Sequence, residues 1–339
     1  MAEEDGIGMM TMTEFESKLV FSVLTGYNVY VPSKTGVSEW VHMFTEEEVD
    51  IREIPGDLRM IALDKWRYFI EYPVNIARYL WPVDIVEISD GKMGLVFRKR
   101  AFPKMEPLKK LLYSPEQLNW RNESIQRVIR NILLAFDELH SGGYSYHAFD
   151  MERMFYNENT GDILIDFSMA MSRHLFDRHH KDWVSAQNIC IEFLPPWSKF
   201  REDGEFSLED DYYSLAAMLF RLMIGRMPYQ GRLMDGVGDM MDRQRDIDQG
   251  MHLIMVEYYH EHPVFIFDET DSSNHIGLYS HEEKIIEKWE DLPKTIQDMF
   301  RATFSKENIQ NVWHRTLYSA RDWMAAFEKA DMIFAGRKD

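Results

Sequence analysis

The chain has 339 residues, 45% of them hydrophobic and 14% aromatic, which is enough to pack a core and excludes disorder along the whole length. Against 38 Lys plus Arg stand 57 Asp plus Glu, a formal charge of −19 that repels phosphate backbones and anionic bilayers; binding to nucleic acid or to a membrane surface is not expected. The single cysteine, Cys190, cannot form an internal disulfide, and no apolar run approaches the ~20 residues that span a bilayer.

Length predicts about two domains, or one domain of two lobes. Residues 1–10 read as a flexible tail, and the opening lacks the basic and apolar blocks of a signal peptide, so a cytoplasmic protein is expected. Short strands are predicted at 19–23, 27–31 and 40–44, separated by turns at Gly26 and at 32–36. A helical stretch follows near 58–70, then strands at 84–87 and 93–97 around Asp90-Gly91. Beyond Arg98-Lys99-Arg100 the pattern becomes mainly helical. Ile125, Val128, Ile129, Ile132, Leu133, Phe136 and Leu139 repeat at helical spacing, with Asn122 as N-cap and Gly142-Gly143 as stop. A hairpin is predicted from Met154-Phe155-Tyr156 and Ile163-Leu164-Ile165. A second helix starts at Ser207, with Asp210 three residues on as in a capping box, and stops at Gly225. The fold class is α+β: a small strand-rich lobe over 11–97 and a larger, mainly helical lobe over 98–339.

Two stretches resemble protein kinases. Leu139-His140-Ser141-Gly142-Gly143-Tyr144-Ser145-Tyr146-His147, continuing to Ile165-Asp166-Phe167-Ser168, is similar to the catalytic-loop region. Asp210-Asp211-Tyr212-Tyr213-Ser214-Leu215-Ala216, ending at Gly225-Arg226-Met227-Pro228, is similar to the S-D-x-Y-S-x-G helix behind it. Glu192-Phe193-Leu194-Pro195-Pro196 sits where kinases carry A-P-E, and Arg315-Thr316 with Trp323 resembles their R-P-T-…-W pattern. The segment 262–268 with Ser272-Ser273-Asn274 resembles one bacterial subgroup, the kinase-like proteins encoded beside von Willebrand A proteins and phosphatases in tellurium-resistance-type clusters. The resemblance covers roughly 30–335 and implies a bilobal protein-kinase-like fold.

The resemblance also assigns roles, and several positions depart from the pattern. Phosphoryl transfer needs a base, metal-holding groups and a lysine on the phosphates. In the loop Tyr146, His147, Ala148, Phe149, Asp150, Met151, Glu152, Arg153, the base position is Ala148, which accepts no proton, and the metal-binding Asn position is Arg153, which has no acceptor atom. Asp150 falls at the usual catalytic-loop lysine. The D-F-G position reads Asp166, Phe167, Ser168, so its carboxylate persists as the one metal ligand if Mg²⁺ binds. His42 replaces the phosphate-binding lysine, no glycine-rich cradle is present near Gly26, and Trp197 takes the A-P-E glutamate, leaving Arg315 to find another partner. Asp211 would hold the backbone of the catalytic loop.

These positions predict a pseudokinase: a regulatory module with weak or absent phosphoryl transfer, a protein partner, and a nucleotide cleft lined by His42, Asp150, Arg153, Asp166, Phe167 and Ser168. Arg153 reads either as a partner of Asp166 that stands in for the metal or as a side chain pointing to solvent. Two alternatives stay open. One is an ATP-dependent kinase or other phosphoryl or nucleotidyl transferase using Asp166, Mg²⁺ and a non-standard base; the other is a structural interaction protein that binds no nucleotide. The His-rich stretch His174, His179, His180 with Asp177 and Asp182 reads either as zinc ligands or as a mobile loop. The basic residues Arg98, Lys99, Arg100, Lys104, Lys109 and Lys110 read either as a dock for an acidic partner or as a solvated face.

Overall fold

The computed structural model describes residues 19–25, 28–32, 40–54, 66–74, 78–89, 92–99, 105–112, 114, 118–146, 149, 151–166, 170–172, 193–197, 207–232, 262–277, 282–311 and 313–330. The fold is mixed α+β, in two units: residues 1–76 with 80–102, and residues 77–79 with 103–339. No described helix is long and apolar enough to cross a membrane.

In the first unit, β1 (Val20–Ser22), β2 (Val29–Pro32), β3 (Trp40–His42), β4 (Glu48–Glu53), β6 (Pro82–Ser89) and β7 (Lys92–Arg98) close an antiparallel barrel in the order β1-β2-β3-β4-β7-β6. The intervening β5 (Tyr79–Leu80) is not part of this barrel. Alternation sets the barrel's interior: Val20, Tyr30, Val49, Val86 and Val96 point inward, with Trp40, Ile51, Val83 and Ile88 against them. Asp84 is buried there and accepts from the Ser22 hydroxyl (2.7 Å), the Asn28 amide (3.0 Å), the Tyr30 phenol (2.9 Å) and the Ile85 N–H (2.8 Å), so these four donors are satisfied by one carboxylate. Burial first, then that carboxylate, pushes the Tyr30 phenol far above its ordinary range.

Two sequence expectations shift here. The strand expected over 40–44 ends at His42, because residues 43–45 turn and Glu46 adopts a left-handed backbone with φ 57°, leaving Phe44 exposed. Strand β4 lies where no element was expected; only Val49 in Glu48-Val49-Asp50-Ile51-Arg52-Glu53 is fully buried. Of the helix expected near 58–70, residues 66–71 are helical and 58–65 lie outside the described residues.

The second unit carries the sheet β5-β11-β10-β8, from β8 (Met105–Pro107), β10 (Met154–Asn157) and β11 (Ile163–Asp166), and a two-stranded pair of β9 (Tyr144–Tyr146) with β12 (Ala170–Ser172). Its described helices are α1 (Leu108–Leu112), α2 (Glu123–Ser141), α3 (Leu208–Ile224), α4 (Glu283–Glu290), α5 (Lys294–Phe304), α6 (Lys306–Gln310) and α7 (Ala320–Lys329). The caps read from the sequence are those found. Asn122 accepts the Ser124 N–H, Ser207 and Asp210 form a reciprocal capping box, and Gly225 ends α3 at φ 89°, where a Cβ would be strained. Helix α3 is buried on nearly all sides. Phe220 meets Phe265, Phe300 and Phe304 at ring separations of 5.2–5.8 Å, and each such buried ring contributes roughly 2–3 kcal/mol.

The 262–277 segment is fastened by an aromatic stack and a buried amide, with an ion pair from Glu269 to Arg301 (3.0 Å) beside them. Phe267 stacks on Trp289 at 4.4 Å, and buried Asn274 donates to the carbonyls of Tyr229 (2.9 Å) and Val264 (2.7 Å). Gly231 passes so close that a Cβ there would overlap the Asn274 carbonyl oxygen. Gly231→Ala is therefore expected to cost about 2 kcal/mol of stability, measured by urea unfolding, while the exposed neighbour variant Arg232→Ala costs much less.

Candidate functional site

The site begins in the second unit with a buried carboxylate. Asp211 sits in the first turn of α3, 2% exposed, and its Oδ2 accepts the backbone N–H of Tyr146 (2.6 Å) and meets His140 Nε2 at 3.1 Å. His140 lies in the last turn of α2, so one carboxylate ties the end of α2 and the end of β9 to α3. Burial is the main influence on Asp211 and pushes its carboxyl up to about 6; hydrogen bonds from His140 and from the Tyr146 backbone pull the other way.

Tyr146 carries the tie onward. Its phenol donates to the carbonyl oxygen of Asp166 (3.1 Å), and its ring is walled by Phe136 and Phe149 at 5.8 and 5.7 Å. Asp166, 9% exposed, ends β11, and its backbone N–H donates to the carbonyl of Arg153 (2.9 Å) just before β10 begins. The structure thus brings Tyr146, Arg153, Asp166 and Asp211 into one connected group. The start of β10 and the end of β11 lie side by side, because antiparallel pairing of Met154 with Ile165 fixes their register.

A second group forms around Trp197. Its indole N–H donates to Asp210 Oδ1 (2.7 Å), its ring meets Tyr213 edge-on at 5.2 Å, and the Arg315 guanidinium lies over it at 4.1 Å. Arg315 also reaches Glu209 at 3.7 Å. The partner expected to be missing for Arg315 is therefore an aromatic face with a neighbouring carboxylate. His42 belongs to the first unit, where its Nδ1 accepts from the backbone N–H of Thr45 (3.2 Å) and pairs with the Thr45 hydroxyl (3.0 Å) while its ring meets Tyr30 edge-on at 5.3 Å. The imidazole is thus engaged by its own turn.

His147, Ala148, Asp150, Phe167 and Ser168 lie outside the described residues, as do His174, His179 and His180. Among the described residues, no three His, Cys, Asp or Glu side chains gather as metal ligands. Four of the basic residues are answered by acids: Arg98 by Glu47, Lys99 by Glu48, Lys109 by Glu152 and Lys110 by Glu106, at 2.8–3.3 Å; Arg100 and Lys104 lie outside the described residues. This favours the solvated face over a dock for an acidic partner.

Sequence reasoning gave Asp210 only a capping role and assigned none to His140 or Glu209; nothing local marked His140, whose partner is 71 residues away. No protein-family model and no curated protein matches the chain.

Proposed function

We propose that this chain is a protein-kinase-like pseudokinase, with a strand-rich lobe followed by a helical one, acting as a binding and regulatory module in which phosphoryl transfer is weak or absent. The observation that carries the reading is the backbone bond from Asp166 to Arg153 (2.9 Å). It sets a carboxylate-bearing and a guanidinium-bearing residue side by side at the ends of β10 and β11. A Mg²⁺ ion held for phosphoryl transfer needs acceptor groups from both strands, and arginine has none. The anchoring of Tyr146 by Asp211, with Arg315 packed on Trp197, supports a retained scaffold around altered chemistry.

A protein partner would read the surface of this unit, and ATP would act as a conformational ligand if it binds one arrangement better than another. The test is incubation with γ-labelled ATP and Mg²⁺ or Mn²⁺, beside thermal unfolding with ATP in Mg²⁺ and in EDTA. The expected results are no label above the Asp166→Ala background, and any nucleotide stabilisation unchanged by EDTA. Label that appears on protein and vanishes in Asp166→Ala would overturn the reading in favour of an enzyme using Asp166. Tight binding that requires the metal would remove the idea that Arg153 replaces it.

A further inference from the structure

The barrel of the first unit is apolar on part of its outside as well as inside. Val20 and Tyr30 point into the core with Trp40 against them, so alternation turns Val29 and Val31 of β2, and Val41 of β3, outward. Register brings them together. Val31 lies opposite Val41, and Val23 and Met43, just past β1 and β3, flank the start of β2, where Ser22 donates its N–H to the Asn28 carbonyl and Met43 its own to that of Val29. An antiparallel sheet face left to water normally carries polar residues at such positions. Val23 (40%), Met43 (45%) and Phe44 (71%) are three of the five large hydrophobic side chains that stand exposed among the described residues, and they share this end of the barrel.

Phe44 is presented by a fixed turn. Glu46 donates its N–H to the His42 carbonyl (2.9 Å), His42 donates its own to that of Glu47 (2.9 Å), and the Thr45 N–H and hydroxyl bond the His42 ring. An aromatic side chain already held in place is the kind of anchor that dominates a binding surface.

Geometry and charge decide the occupant. The barrel is closed, so these strands offer no free edge to a partner's strand, and a partner must lie across the face with its side chains. From β1 to β3 is two strand spacings, roughly 10 Å, the width of one α-helix. Exposed carboxylates border the face on both sides: Glu87 on β6, which pairs with β1, and Glu46, Glu47 and Glu48 where the chain turns from β3 into β4. Glu47 and Glu48 are answered by Arg98 and Lys99, whereas Glu46 and Glu87 have no ion-pair partner among the described residues. A second copy of this chain would lay the same acids against them, and the chain's first 18 residues, with five acids and one lysine, carry the same sign. We propose that the outer face of β1–β3 docks an amphipathic helix of a partner protein, with its apolar stripe on Val23, Val41, Met43 and Phe44 and its Lys or Arg flanks at Glu46 and Glu87. The surface rests on the barrel alone and is independent of the pseudokinase reading.

The probe is a helical peptide of Leu and Lys, about four turns long with its leucines along one face. It is titrated into the full chain and followed by the methyl NMR signals of Val23, Val41 and Met43. Two controls share its length: the same peptide with Glu for every Lys, and a scramble that disperses the leucines. The Leu/Lys helix is expected to shift these methyls, and Phe44→Ser, a change at an exposed turn, to weaken it about tenfold. Glu46→Lys with Glu87→Lys is expected to weaken the Lys peptide and to let the Glu peptide shift the same methyls, a gain that a misfolded variant cannot imitate. Equal binding of the scramble, affinity unchanged by Phe44→Ser, or no methyl shift at millimolar peptide would overturn the docking face. A Glu peptide that binds the wild type as well as the Lys peptide would overturn the charge assignment. In the chain alone, a soluble paramagnetic relaxation agent should broaden the Val23 and Met43 methyls. Protection of them in a dimer that Phe44→Ser dissociates would give the face to a second copy, and protection in the monomer would give it to the chain's own residues; either result overturns the partner helix.

Discussion

Asp211→Ala is expected to lower stability by about 3 kcal/mol, measured as the shift of the urea unfolding curve at pH 7. The substitution leaves the Tyr146 N–H without its acceptor and His140 without its carboxylate, both inside the protein. It also loosens β9, and through the Tyr146 phenol the carbonyl of Asp166, so the damage reaches the candidate site. Asp211→Asn separates charge from hydrogen bonding. The amide keeps an acceptor for Tyr146 and carries no charge. In the folded protein burial pushes the Asp211 carboxyl up to about 6, above its ordinary 3.8, so between those pH values the native state holds a proton the unfolded chain has lost. Stability from this group is therefore highest at or below pH 3.8 and falls as pH rises through 6. Relative to Asp211→Asn, the wild type should lose on the order of 3 kcal/mol across that window. A difference between the two proteins that stays flat with pH would show that burial does not raise this carboxyl.

The local grammar of the chain was legible and its long-range pairing was not. Helix ends at Asn122, Ser207 and Gly225 follow from side chains within three residues of the backbone groups they satisfy or from one backbone angle, so sequence suffices to find them. The β10–β11 hairpin was readable because two apolar runs flank a polar turn, closed by Asn157 Oδ1 on the N–H groups of Asn159 and Thr160. Strand β4 was hidden by its four charged residues, although Val49 and Ile51 alternate as a barrel strand requires. The pairs that neutralise the basic residues join Arg98 to Glu47 and Lys109 to Glu152, far apart in the chain, and composition could not reveal them. The same distance hid His140 from Asp211. At the candidate site, the motif strings pointed to Asp166, Arg153 and Asp211, but the connection among them runs through a backbone bond and the Tyr146 phenol.

Trp197→Ala is expected to cost about 4 kcal/mol, because a nearly buried indole, its hydrogen bond to Asp210 and the stacked Arg315 are lost together. The informative variant is Trp197→Glu. A carboxylate there would offer Arg315 a direct ion pair, which on charge alone should rescue much of the loss. Two acids already occupy the neighbourhood: Glu209 at 3.7 Å from Arg315, and Asp210, whose Oδ1 now receives the indole N–H. A third carboxylate would face Asp210 at close range in a buried setting, and the apolar contact with Tyr213 would go unreplaced. Repulsion and lost packing outweigh one added pair, so Trp197→Glu should be at least as unstable as Trp197→Ala. Arg315→Lys completes the comparison. It keeps the charge beside Glu209 but loses the planar face that lies on the indole, and should cost about 1 kcal/mol, well short of Trp197→Ala. If Trp197→Glu instead recovers wild-type stability in urea unfolding, the arginine is held by charge alone, and the aromatic face is replaceable at this position.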